Sequence, residues 1–397
     1  MNIKEFENVL ILQGGGSLGA FGCGVFKELA NQGIKFDILA GTSIGGVNAA
    51  IIAGSKQDNP EKDLEQFWCE VGENNTDIYP STSTLHLLAN YNPFLIHSSY
   101  KQYDHLKSMN SFYSSAFFGN KAIFSPRWNI ENLQTDPEYF QPEKWTYIYD
   151  ITLLEKTLEK YIDYKKLGPD GKSNGRLIIT AVNVLTSEPL TFDSFKIQIT
   201  PKHILATCAY PLYLLPWIEL ERGMYCWDGG ILSNTPVREV IEASPVINKN
   251  LFIVENYPRK IKELPSNIYD VLHRTRDMIF SDKTTHNIKM SKIITRYLRF
   301  IDQLYKIIEK NKENYKLDEK EFQQITAKYR KFKVERGAEI QNIYYIDREE
   351  KAPHMYENID FSLKTIKELI KHGEKKTKQV LKDRKNEKRK KRNKHIN

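Results

Sequence analysis

Val9–Leu12 is an unbroken apolar run that stops at Gly14-Gly15-Gly16. Apolar positions then recur at Val25, Phe26, Leu29 and Ala30, the three-and-four spacing of a helix, until Gly33 closes the segment. Phe36–Ala40 predicts a second strand and Ile44–Ala53 a second helix ended by Gly54. Strand, helix, strand and helix in that order predict an α/β fold with a mainly parallel sheet. Residues 61–150 break the rhythm with many aromatics and little periodicity, and are expected to form a lid or insertion. Strands are predicted again at Leu177–Val184, Leu190–Phe192 and Leu251–Val254, with a short helix at Ile204–Cys208. From Asn267 to about Lys331 the spacing is helical, for example Ile294, Leu298, Ile301, Leu304 and Ile307. One more strand is predicted near 340–346, placed to rejoin the main sheet.

Composition sharpens this division. Of 397 residues, 40% are hydrophobic and 27% charged, enough to bury a core without a metal or disulfide staple. No run nears the ~18 uncharged apolar residues of a membrane span. The net charge of +8 is not spread evenly. Lys371–Asn397 holds thirteen Lys/Arg against three Asp/Glu, so this segment carries +10 and the first 370 residues come to −2. The expected layout is therefore a main domain over 1–260, a helical extension over 261–370, and a basic, disordered tail over 371–397 that meets anionic membrane at its surface. The four cysteines, Cys23, Cys69, Cys208 and Cys226, show no metal or redox spacing, and no calcium loop of the D-x-D-x-D-G type occurs, so neither metal nor cofactor is expected. Met1–Glu7 leaves no room for a cleaved secretory signal before the first strand. A cytoplasmic protein, peripheral to membrane, is expected, with export by a signal-independent route left open.

Three segments carry candidate chemistry. Gly14-Gly15-Gly16-Ser17-Leu18-Gly19 lies between a strand and a helix, where several backbone N–H groups converge on one point. By itself this serves a phosphate, an oxyanion or a plain turn; Asp37, eighteen residues beyond Gly19, even suits a dinucleotide site. Gly41-Thr42-Ser43-Ile44-Gly45 is a G-x-S-x-G elbow in the strand–turn–helix setting that lifts a serine hydroxyl out of a sheet. A nicotinamide site has no use for that second elbow. Asp228-Gly229-Gly230, after Trp227, is the third; alone it is a turn signal. None of the nine histidines sits in a comparable glycine-rich setting.

In this order the three motifs resemble the patatin-like phospholipase family over roughly Val9–Val240, in particular a bacterial branch with a G-G-G-x-L-G-A opening and a C-terminal extension. The resemblance implies a three-layer fold with a mainly parallel central sheet flanked by helices. It implies a serine acyl hydrolase that cleaves fatty-acyl esters of phospholipids or related lipids, a phospholipase A-type activity. Ser43 would be the nucleophile and Asp228 the base, with Gly14, Gly15 and Gly16 forming the oxyanion turn. Gly19, Gly41, Gly45, Gly229 and Gly230 complete the motifs. Leu18 departs from the Arg or Lys that many members carry, which removes a cation from beside the oxyanion.

Two other readings stay open on the residues. A Ser43, Asp228, His273 triad has the chain order of an α/β-hydrolase. A membrane-binding protein on a vestigial hydrolase core would use the tail and the basic stretch Ser266–Lys310, which nets +4. No nucleic-acid partner is expected.

Overall fold

The N-terminal apolar run forms strand β1 (Phe6–Leu12), whose last four residues are fully buried, as a strand covered on both faces requires. In the computed structural model, which describes residues 6–75, 111, 113–221, 223–314, 318–336, 338–350 and 357–394, β1 leads into helix α1 (Gly19–Asn31). Strand β2 (Ile38–Gly41), helix α2 (Ile44–Ala53) and helix α3 (Pro60–Glu73) follow. A small ribbon, β3 (Ser125–Pro126) and β4 (Tyr149–Asp150), precedes helix α4 (Thr152–Leu158). Then come β5 (Arg176–Asn183), β6 (Pro189–Asp193), α5 (Pro201–Cys208), β7 (Ile218–Glu221), β8 (Met224–Asp228), α6 (Val237–Ala243) and β9 (Asn248–Glu255). The chain ends with α7 (Ile268–Lys310), α8 (Glu319–Arg336), β10 (Ile340–Asp347) and α9 (Leu363–Lys394).

Among the described residues the main sheet runs β10-β9-β1-β2-β5-β8-β7, with β6 also on β5. The pairs from β10 to β5 are parallel; β6, β7 and β8 join antiparallel. Alternation along the strands divides the core in two. Leu10, Leu12, Leu39 and Ile179 point to the side of α1, α2 and α3, whereas Val9, Ile11, Ile38 and Ile178 meet Val237, Val240 and Ile288 on the other. The result is three layers.

The register around β5 brings two turns together. β6 occupies one edge of β5 along Ile178–Val182. β2 and β8 must therefore share the other edge, one beyond the other: β2 stops with Gly41 opposite Ile179, and β8 stops with Asp228 opposite Ala181. The residues after Gly41 and those at Asp228 thus arrive at one place from opposite directions.

Two expectations need revision. The 61–150 segment opens with α3, which is not lid but core: Phe67 and Trp68 are wholly buried, and Trp68 Nε1 donates to Asn48 at 3.0 Å. Residues 76–110 of that segment lie outside the described residues. The 371–397 segment, expected as a disordered arm, is helical through Lys394. Ile366, Leu369, Ile370 and Thr377 form a buried stripe at helical spacing. That stripe packs against α1 where Gly24 and Gly373 let the two backbones touch; a Cβ on either would collide with a main-chain carbonyl across the contact. Lysine-rich composition hides this stripe. Arg384 still reaches back, donating to the Ile343 carbonyl at 2.6 Å.

Ile340–Asp347 pairs in parallel with β9 as the sheet's edge, so the chain returns to the sheet after α7 and α8. No described helix is long and apolar enough to cross a membrane.

Candidate active site

Ser43 sits where β2 turns into α2, with φ 56° and ψ −133°. A non-glycine residue held there is strained, and it persists only because its surroundings fix it. Here they do: the Ser43 N–H donates to Thr207 Oγ1 at 2.9 Å, and Thr42 Oγ1 pairs with Thr180 Oγ1 at 2.7 Å. Gly45 is required by close approach, since a Cβ there would run into the Leu12 carbonyl of β1. The turn also aims the N-terminus of α2 at the serine, where its positive end favours negative charge.

Asp228 ends β8 and caps the short turn Gly229–Ile231, its Oδ1 accepting from the Gly230 N–H at 2.7 Å. It is 2% exposed. Burial pushes its carboxyl up to about 7, against the downward pull of the Gly230 N–H and the nearby Ser43 hydroxyl. A carboxylate poised near neutrality beside a serine hydroxyl is what direct proton transfer needs.

The glycine turn faces this pair. Gly14 donates its N–H to the Asn234 carbonyl at 3.4 Å, so its amide is engaged. The amides of Gly15 and Gly16 have no acceptor among the described residues. Of the three glycines expected to hold an oxyanion, two therefore have donors to offer. Gly16 takes φ +58°, and a Cβ there would strike the Asn358 carbonyl oxygen. Leu18 is buried in the main core, so its side chain points away from the turn.

Ser43, Gly15, Gly16, Asp228 and Asn234 enclose a cavity of about 20 Å³, room for one water. Ser43 and Gly16 also line a second cavity of about 300 Å³. Its walls are apolar, with Phe124, Leu154, Leu212, Leu214, Ile359 and Phe361 among them.

Among the described residues, no histidine lines either cavity. His203 closes a capping box with Thr200, whose N–H donates to His203 Nδ1 at 3.0 Å. Both ring nitrogens of His273 face carboxylates other than Asp228: Nδ1 is 3.7 Å from Asp277, and Nε2 is 3.0 Å from Glu350 and 3.4 Å from Glu357. The triad reading loses its third member.

A family model described as patatin-like phospholipase matches residues 10–241, more than half the chain. The chain belongs to the patatin-like phospholipase family. A second model, described as patatin phospholipase, matches residues 278–393. The α/β sheet and its helical C-terminal region are thus a patatin-like fold with both parts accounted for. A curated relative, the cGAMP-activated phospholipase of Escherichia coli (strain TW11681), is 27% identical over 254 residues. That match covers 59% of this chain, and the chain spans only about half of the relative, 54%. A superposition on VipD from Legionella pneumophila covers 96% of this chain and 67% of that one at 12% identity, with a TM-score of 0.35, too loose to carry an argument.

Of the residues singled out in the patatin-like motifs, the structure brings Ser43, Asp228, Gly15, Gly16 and Gly230 to one cavity. Gly19, Gly41, Gly45 and Gly229 are packing positions around it; a Cβ on Gly19 would press on Ile44 and Trp68, and one on Gly229 would meet Thr180. Residue reasoning did not anticipate Asn358, Ile359 and Phe361, which line the larger cavity from more than 300 residues further along the chain. No local pattern marks them.

Proposed function

We propose that the protein is a serine acyl hydrolase of phospholipase A type, using a Ser43–Asp228 dyad on fatty-acyl esters of phospholipids or related lipids. One observation carries this reading. A serine and a buried carboxylate line one small cavity with two unengaged amides, at the edge of a larger cavity lined with apolar side chains.

Ser43 Oγ attacks the ester carbonyl while its proton passes to Asp228. The carbonyl oxygen becomes an oxyanion held by the Gly15 and Gly16 N–H groups, where each well-placed donor is worth about 3–4 kcal/mol. Collapse breaks the ester bond, and the departing alcohol takes the proton from Asp228. A water then gives its proton to Asp228 and adds to the acyl-enzyme; Ser43 Oγ leaves, taking that proton back from Asp228, and the fatty acid is released. The acyl chain occupies the 300 Å³ cavity. Burying a chain there is favourable by roughly 0.8 kcal/mol per methylene, which supports long-chain esters over short ones.

The test is product identity. Vesicles of a zwitterionic phospholipid should yield free fatty acid and lysophospholipid in equal amounts. Release of the phosphorylated headgroup or of phosphatidic acid instead would rule out the acyl-hydrolase reading.

Membrane contact is part of the same proposal, with its site moved outward. Residues 371–384 belong to the packed part of α9, whereas 385–397 hold seven basic residues and one acidic residue. Each basic residue near an anionic surface contributes about 1 kcal/mol. Ending the chain after Arg384 should weaken binding to anionic liposomes at least tenfold at low salt, yet spare hydrolysis of a soluble ester. Ending it after Ile370 should instead lower the melting temperature, because it removes Gly373 and Thr377 from the contact with α1. A liposome-binding assay and a thermal melt on the two truncations check both halves.

A further inference from the structure

The glycine turn is held from behind by the C-terminal region. Ser17 Oγ donates to the Glu357 carbonyl at 2.8 Å, and the Asn358 carbonyl lies directly over Gly16. On the other side, Asn256 Nδ2 donates to the Gln13 and Gly14 carbonyls at 2.9 and 3.2 Å. The two sides are joined by one buried set of charges. Arg348 Nε donates to the Asn256 carbonyl at 2.7 Å, and its Nη2 donates to Glu357 Oε1 at 2.7 Å. Arg276 donates to Asn358 Oδ1 at 2.8 Å, to Glu357 Oε1 at 3.0 Å and to Asp277 Oδ1 at 2.9 Å. His273 completes the set through Glu350, Glu357 and Asp277.

With His273 charged, three cations face three carboxylates among the described residues, and their charges balance. The donor atoms of His273, Asp277 and Glu350 also lie within 4.8 Å of one another. However, the two ring nitrogens face different carboxylates, the arrangement of an imidazolium bridging them rather than of one lone pair on an ion.

We propose that this buried ion cluster is a positioning device for the oxyanion turn, clamping Gly14–Ser17 through Asn256 on one side and Glu357–Asn358 on the other. The proposal rests on reading that turn as the oxyanion hole. It makes His273, Arg276, Arg348 and Glu357 positioning residues. It also gives the C-terminal region a function in the reaction step, since the turn is then correctly formed only when that region is docked.

The charge states follow from the contacts. Burial would lower His273, but Glu350 and Glu357 outweigh it and hold the imidazolium up to about 9. Burial would raise Glu357, yet Arg348, His273 and Arg276 keep it well below the ordinary carboxylate range. Asp277 and Glu350 are raised by burial. Among the described residues the other charged or titratable neighbours are Asp270 on the same helix, Tyr213, and Tyr257, whose ring lies under the Arg276 guanidinium. Because the raised His273 pKa favours the folded clamp only while the ring is charged, the clamp is intact below about pH 9 and loosens as pH rises through it.

The experiment is kcat and KM for a soluble ester from pH 6 to pH 10.5, with a thermal melt at each pH, for wild type, Ser17→Ala, His273→Gln and Ser43→Ala. Ser17→Ala removes one hydrogen bond and should lower kcat about tenfold, with KM within about twofold and melting little changed. His273→Gln should lower kcat similarly at pH 7.5 and abolish a fall in wild-type kcat centred near pH 9. Wild-type kcat in Ser17→Ala together with an unchanged alkaline limb in His273→Gln would overturn the proposal. Should His273→Gln fail to fold, the Ser17→Ala result decides alone. Wild-type activity silenced by EDTA and restored by a divalent cation would overturn it too, by making the cluster a metal site. Activity surviving in Ser43→Ala would instead remove the oxyanion reading itself, and the clamp with it.

Discussion

Ser43→Ala is expected to lower kcat for ester hydrolysis by about 10⁴-fold or more while the protein stays folded. The size follows from removing the atom that bonds to the substrate, since what survives is only binding and oxyanion stabilisation. Folding should survive because the bonds that fix this turn belong to the backbone and to neighbours: the Ser43 N–H to Thr207, and Thr42 to Thr180. The strain has its own signature. Ser43 has φ 56°, a conformation glycine adopts without penalty. Ser43→Gly should therefore melt higher than Ser43→Ala, by the equivalent of roughly 1 kcal/mol, although both are equally inactive. A melt of the two variants with activity measured in parallel checks this; Ser43→Ala melting as high as Ser43→Gly would contradict the strained elbow.

The second large effect belongs to Asp228. Asp228→Asn should cut kcat by at least about 10³-fold, because the neutral amide cannot take the Ser43 proton. It should also stabilise the fold at alkaline pH. The sign follows from linkage. The folded carboxyl, pushed up to about 7, binds its proton more tightly than the unfolded one, with its ordinary value of 3.8. Stability therefore falls as pH rises from about 4 towards 7, and the full cost is present above 7. Asn carries no such cost, so the variant should melt higher than wild type at pH 8, a gain of a few kcal/mol at about 1.4 kcal/mol per pKa unit. At pH 4 the difference should vanish. In the wild type, kcat/KM should rise with pH through about 7 as the base ionises. Differential scanning calorimetry at pH 4 and pH 8, with a pH–rate profile, tests all three; a variant less stable than wild type at pH 8 would contradict the buried-base account.

Much of this site is legible along the chain because its motifs are backbone requirements. Gly16 and Gly45 are glycine where main chain from elsewhere lies against them, so a local pattern reports a tertiary contact. The apolar runs at Val9–Leu12 and Leu251–Val254 read as strands because both faces are covered. Strand β8 does not read that way: Met224–Asp228 mixes buried and half-buried positions and pairs antiparallel at the end of β5. Without that pairing nothing places Asp228 beside Ser43. Helix α9 is hidden for another reason, since one buried stripe is outnumbered by exposed lysines and arginines. His273 shows the limit of chain order. It lies after Asp228 as a triad histidine would, but α7 carries it to Glu350 and Glu357, contacts that no nearby residue foreshadows.

The central claim is that Ser43 is the atom donor of a covalent acyl-enzyme. The most direct measurement is fluorophosphonate labelling followed by peptide mass spectrometry, with residual phospholipid hydrolysis read from the same samples. The account predicts a single adduct, on the peptide carrying Ser43, with activity lost in proportion to labelling and no adduct in Ser43→Ala. Full hydrolysis by protein whose Ser43 is completely labelled, or an adduct on a different residue that tracks the loss of activity, would contradict it.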